Sequence, residues 1–189
     1  MTLPCSSWAR ALAALLLTGC PSAHGGDAGA AGYDACRVPS ECVVVPASCC
    51  GACGAARRGD AVAVSVARAD AYRAVACGGD PTCPACFSPP DPTLVATCEA
   101  DRCVVVDLSR HPASECAASS DCRVRASACC ECGATISEST VVAVSNEAAY
   151  AALVCDPGTA CPECAPVYPA EYGAVCDAGR CAMVFADRP

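Results

Sequence analysis

Two pairs of cysteines stand at the spacing on which thiol chemistry is usually built: Cys83-Pro84-Ala85-Cys86 and Cys161-Pro162-Glu163-Cys164. In such a pair one thiolate attacks and the other resolves, provided a helix N-terminus or a nearby cation lowers the first thiol's pKa. The same sulfurs, taken with Cys49-Cys50-x-x-Cys53, could instead supply four thiolates to a tetrahedral zinc ion. The surroundings weigh against both. Each pair follows a helical segment rather than opening a helix after a strand, and lies among prolines, acids and further cysteines. The second copy of the chelating loop, Cys129-Cys130-x-Cys132, is one residue shorter. A tetrahedral site would be strained by that loss, whereas sulfurs bonded to separate partners tolerate it. Structural disulfides are therefore the expectation, with thiolate metal binding and dithiol exchange as the alternatives.

The likeness of Cys-Pro-x-Cys to the redox site of glutaredoxins is superficial for the same reasons. Other catalytic constellations leave less trace. The chain has two histidines, His24 and His111, both in segments expected to lie outside the folded units, and no Gly-x-Ser-x-Gly motif. Glu99 and Asp101 fall in a hairpin turn, where polar residues serve the turn. In general style, the disulfide-rich pattern resembles secreted protease inhibitors that present a rigid loop. Arg57-Arg58 would suit a trypsin-like enzyme, but the second unit has Thr135-Ile136 in that neighbourhood. We expect no catalytic residue, no metal site and no cofactor. The chain contains no lysine, and 20 acids against 12 arginines leave a net charge of −8, which excludes a nucleic-acid partner. The expected partner is an unidentified protein or other ligand, bound by a monomer.

The elements that hold these residues emerge when the chain is aligned with itself. One set of ten cysteines comprises Cys36, Cys42, Cys49, Cys50, Cys53, Cys77, Cys83, Cys86, Cys98 and Cys103. The second comprises Cys116, Cys122, Cys129, Cys130, Cys132, Cys155, Cys161, Cys164, Cys176 and Cys181. The offset falls from 80 residues to 78 across the Cys-dense loop, so two single-residue deletions separate the copies. Residues 36–107 are read as the first repeat, 108–115 as a polar linker, 116–185 as the second repeat and 186–189 as a tail.

With 22 cysteines but two phenylalanines and one tryptophan, neither unit can rely on a large apolar core. All twenty repeat cysteines are expected in structural disulfides, five per unit, although ten cysteines permit on the order of 900 pairings. The fold class is small disulfide-rich α+β, in two homologous tandem units. Each is expected to set a strand at 42–45 or 122–125 beside a C-terminal hairpin in one short antiparallel sheet, with one helix over 66–76 or 146–154 across it. Ser65 and Ser145 are the possible helix caps. Residues 61–64 and 141–144 fit a helical turn or a strand equally.

Ahead of the repeats, Arg10 precedes the apolar run Ala11–Leu17 and then Leu17-Thr18-Gly19-Cys20. The run is far shorter than the roughly 20 residues that cross a bilayer and has the order of a signal peptide over residues 1–19. Leu-Thr-Gly-Cys resembles the lipobox of bacterial lipoproteins. That resemblance implies cleavage before Cys20, acylation of its thiol and attachment to a membrane. Pro21 in place of aspartate implies sorting to the outer membrane of a double-membrane host. Cysteine parity agrees: with Cys5 removed and ten cysteines in each repeat, Cys20 is the thiol left over. Residues 20–35 read as the lipidated cysteine and a flexible tether, rich in glycine and alanine, spanning on the order of 20 Å. Replacing Cys20 with alanine is expected to move the protein from the membrane pellet to the soluble fraction on ultracentrifugation; continued attachment would refute the anchor.

Overall fold

The computed structural model describes residues 30, 32–54, 56–79, 82–86, 88–132, 138–164, 166, 168 and 171–185. The expected signal segment, Cys20 and the first part of the expected tether lie outside these. The first repeat contains β1 (Cys42–Pro46), β2 (Ala61–Ser65), α1 (Ala69–Cys77), β3 (Leu94–Glu99) and β4 (Arg102–Asp107). The second repeats the order with β5 (Cys122–Ala126), β6 (Ser139–Ala143), α2 (Glu147–Val154), β7 (Tyr172–Asp177) and β8 (Arg180–Phe185). It is a small disulfide-rich α+β fold in two like units, as the repeat implies.

The segment that pattern alone left open is a strand, and its burial shows why. Ala61 and Ala63 face Leu94, Cys103 and Val105 of the β3–β4 hairpin. Val62 and Val64 face Val45 and Tyr72 of α1. Small residues on one side and branched ones on the other fit a pleated strand packed on both faces. The strand pairing differs from expectation in consequence. β1 pairs antiparallel with β2, Val44 opposite Ala63, and β3 pairs with β4 in a separate two-stranded ribbon. The two ribbons stack through side chains, and α1 closes the far face of the first. The second repeat is built alike, with β5 on β6 and β7 on β8.

Both helices also start later than expected. Val66–Arg68 and Val144–Asn146 form 3-10 turns before them. Ser65 makes no capping bond because it is the last residue of β2, buried against the first unit's core. α1 ends at Gly78, whose left-handed backbone (φ 59°) lets its N–H reach the Ala74 and Val75 carbonyls. Each hairpin turns on two residues of positive φ, Ala100-Asp101 at 49° and 62° and Ala178-Gly179 at 47° and 79°. That is the backbone of a type I′ turn, whose twist matches its strands.

The residues just ahead of the first repeat and the end of the segment expected as a linker occupy corresponding places. Ala35 forms a bridge to Arg102, and Glu115 to Arg180, at corresponding places in the two repeats. Asp34 accepts from Arg102 Nε at 2.6 Å, while Arg180 Nη1 donates to the His111 carbonyl at 2.7 Å. Tyr33 packs edge-on against Tyr72, and its carbonyl accepts the Ser65 N–H. Residues 108–115 are therefore no loose connection. They hold the 3-10 turns Leu108–Arg110 and Pro112–Ser114, in which Leu108, Ala113 and Ser114 are buried. Ser114 Oγ donates to the Leu108 carbonyl, and His111 Nδ1 accepts the Ala113 N–H at 3.1 Å.

The two units share a core across this strap. Val95 of β3 clusters with Leu108, Ala113, Val142 of β6 and Tyr150 of α2. Polar bonds flank the cluster: Ser40 Oγ donates to Asp156 at 2.6 Å, Asn146 Nδ2 to the Pro112 carbonyl at 2.7 Å, and Thr140 Oγ1 to the Pro92 carbonyl. The Ser40 hydroxyl and N–H hold the Asp156 carboxyl below the usual range. Leu108→Ala would leave a hole where both units meet. The expected loss is about 2–4 kcal/mol of unfolding free energy, seen as a lower urea midpoint of the oxidised protein by circular dichroism; an unchanged midpoint would mean that the strap contributes no packing.

Candidate functional site

The structure pairs all twenty repeat cysteines. In the first unit the bonds are Cys36–Cys98, Cys42–Cys103, Cys49–Cys77, Cys50–Cys83 and Cys53–Cys86. In the second they are Cys116–Cys176, Cys122–Cys181, Cys129–Cys155, Cys130–Cys161 and Cys132–Cys164. The connectivity is the same in both, first to ninth, second to tenth, third to sixth, fourth to seventh and fifth to eighth. The two sulfurs of each Cys-Pro-x-Cys thus belong to different disulfides and do not face each other as an exchanging pair. Groups of three sulfurs within 4.8 Å, such as Cys36, Cys42 and Cys98, are neighbouring disulfides side by side. Arg58 folds back so that Nη1 contacts the Ala61 carbonyl, and His111 serves a turn. Glu99 and Asp101 sit at the hairpin tip. His24 lies outside the described residues.

The arrangement that can bind something is a groove along β1. Two depressions, of about 530 Å³ and about 180 Å³, share Val44, Pro90, Asp91 and Leu94 in their walls. The larger runs into the junction between units, where Ala128, Cys129 and Val154 of the second repeat form the far wall. The smaller ends at Gly51, Ala52 and Ala56 of the Cys-dense loop. Gly51 is required there: its φ is +67°, and a Cβ would lie 2.7 Å from Ser88 Oγ, which accepts the Cys53 N–H. Along its floor the groove is apolar, and the charged residues on its walls, Asp60, Asp91 and Glu138, are all acids.

The groove also exposes backbone. Cys42 N–H is taken by the Pro39 carbonyl, Ser65 N–H by Tyr33, and Ala47 N–H by Asp60. In an antiparallel pair hydrogen-bonded and non-bonded positions alternate. Val43 and Val45 therefore bond to β2, while the N–H and C=O of Val44 point the other way, into the groove. Pro46, next in that outward row, has no N–H to offer, which suits it to a free edge.

The second repeat differs around the corresponding strand. Arg123 and Arg125 stand where β1 has Val43 and Val45, and Glu131 occupies the shortened loop. Arg123 binds Glu131 at 2.7 Å and Glu147 at 2.8 Å. Arg125, 3% exposed, lies 4.4 Å from the Tyr150 ring centre, binds Glu147, and donates to the Ala128 and Cys129 carbonyls. Tyr168, the counterpart of Pro90, donates to Glu131 at 2.8 Å and lies against the Ala126 backbone, closing the β5 edge. Burial and the Glu131 carboxylate push its phenol up to about 12. Burial alone would raise the Glu131 carboxyl, but its hydrogen bonds from Arg123 and Tyr168 and the charges of Arg123 and Arg125 bring it below the usual range.

Sequence reading missed both the groove and the differences around the corresponding strand. A signal was present in the swap of Val43-Val44-Val45 for Arg123-Val124-Arg125, since arginines on one side of a strand need acids to meet them. No protein-family model, curated protein or solved structure matches the chain.

Because Glu131 titrates lower in the folded state, its contribution is complete above the ordinary glutamate range and is lost as pH falls through the folded value. Glu131→Gln is expected to lower the urea midpoint at neutral pH and to flatten its decline towards about pH 3. Parallel curves for variant and wild type would show that the carboxylate is not engaged in solution.

Proposed function

We propose that this protein is an extracytoplasmic lipoprotein, held to a membrane through acylated Cys20, whose paired repeats form a non-catalytic binding module with the β1 groove as its ligand site. The observation that carries this reading is the identical five-disulfide pairing of the two units. Disulfides persist in oxidising compartments outside the cytoplasm, and no described helix is long and apolar enough to cross a membrane. A lipid on Cys20 would then supply the attachment. Each buried methylene contributes about 0.8 kcal/mol, so two or more acyl chains give a stable hold.

The role as a binder rather than a catalyst rests on what the groove offers. Its walls are mainly valine, leucine, proline and alanine, with four serines and three acids, a surface suited to recognition. The disulfides make that surface rigid before any ligand arrives, which lowers the ordering cost of association.

Alkylation of the unreduced mature protein with iodoacetamide, followed by mass spectrometry, tests the reading. No repeat cysteine is expected to take the label, and peptide mapping should recover Cys50–Cys83 and Cys53–Cys86 as crosslinks. Several labelled cysteines together with co-purifying zinc would overturn it in favour of thiolate metal binding.

A further inference from the structure

We infer that the β1 groove takes up an extended, basic polypeptide segment by strand addition, the segment pairing with the outward edge at Val44. This deepens the binding-module reading and rests on it. Three observations carry it. First, β1 is an edge strand whose Val44 N–H and C=O face the groove, and among the described residues no backbone group pairs with them. A free edge is complementary to another extended backbone, which supplies a donor and an acceptor at the matching spacing.

Second, the depressions on either side of Val44 are apolar, and the charges on their walls are acids alone. An incoming strand would set alternate side chains into the two depressions. Basic residues flanking them would meet Asp91 at the shared wall and Asp60 towards one end. The whole chain, at −8, biases the approach of a cationic segment in the same direction. The larger depression is also continuous with the apolar contact between the units, through Val95 and Val154.

Third, the second repeat shows what this edge does when it is not left for a partner. There Tyr168, bonded to Glu131, reaches the Ala126 backbone, and Arg123 Nη1 contacts the carbonyl of Val124, the counterpart of Val44. Two copies of one unit therefore differ at this place: one edge is closed from within, the other is open beside an apolar, acid-walled groove.

The test uses the full-length oxidised protein in detergent and the fluorescent heptapeptide Lys-Val-Thr-Val-Thr-Val-Lys. Saturable binding by fluorescence polarisation is expected, with slowed hydrogen exchange at the Val44 amide. N-methylation of alternate peptide nitrogens, which removes the strand donors and keeps the side chains, should weaken binding by at least about tenfold. Exchanging the lysines for glutamates should do the same. Pro90→Tyr, which copies the closure of the second repeat, should abolish binding while every disulfide remains. Equal affinity for the methylated peptide, or exchange at Val44 unchanged at saturation, would overturn the proposal. So would failure of any peptide to bind protein whose cysteines resist alkylation. Free thiols in that same preparation would instead sink the binding-module reading on which the proposal stands.

Discussion

The disulfides that join the start of each repeat to its C-terminal hairpin are the constraint from which the rest of the structure follows. Cys36–Cys98 and Cys42–Cys103 close loops of 62 and 61 residues and hold the β1–β2 ribbon over β3–β4. Cys116–Cys176 and Cys122–Cys181 do the same in the second unit. Such crosslinks are worth roughly 2–4 kcal/mol each, chiefly by restricting the unfolded chain. A ribbon of two strands is marginal alone, and the first unit's core is largely valine, alanine and cystine with one buried tyrosine. Once the ribbons are clamped, that small core suffices to order them. The remaining three disulfides of each unit tie the Cys-dense loop to the helix end and to the Cys-Pro-x-Cys segment, so the groove wall at Gly51 is fixed by covalent bonds.

Much of this fold was legible in the sequence because cysteine spacing and turn chemistry are local signals. The repeat, its fold class, the helices and the C-terminal hairpins follow from them. The pairing of β1 with β2 does not: Ala61-Val62-Ala63-Val64 suits either a helix or a strand until it is known that both faces are covered. Nor does the correspondence of 32–35 with 112–115, since Tyr33-Asp34 and Ala113-Ser114 share position but not residue type. Reading the latter segment as a linker followed from its polarity and its His-Pro. In the structure its polar groups are satisfied within the turn, as at His111 and Ser114, which frees Leu108 and Ala113 to be buried.

The groove was invisible for a further reason. It depends on backbone direction along an edge and on a wall contributed by the other unit, neither of which composition encodes. The divergence between copies was encoded, in Val43 and Val45 against Arg123 and Arg125 and in Pro90 against Tyr168. Its meaning appears only when these residues are seen around corresponding edges. Duplication gave two identical frames; substitution on the frame made one self-contained and left the other open.

The strap at residues 30–35 has a consequence for geometry above a bilayer. Because Ala30 is buried and Tyr33 is locked to Tyr72, the fold begins well before the first repeat cysteine. Between Ala30 and Cys20 only nine residues remain. Fully stretched they reach about 30 Å. Under the proposed anchoring at Cys20, the fold is leashed with Ala30 within about 30 Å of the lipid surface. A partner seated on the same surface then meets it at an effective concentration in about the millimolar range, so that even a weak edge-to-edge contact would be populated.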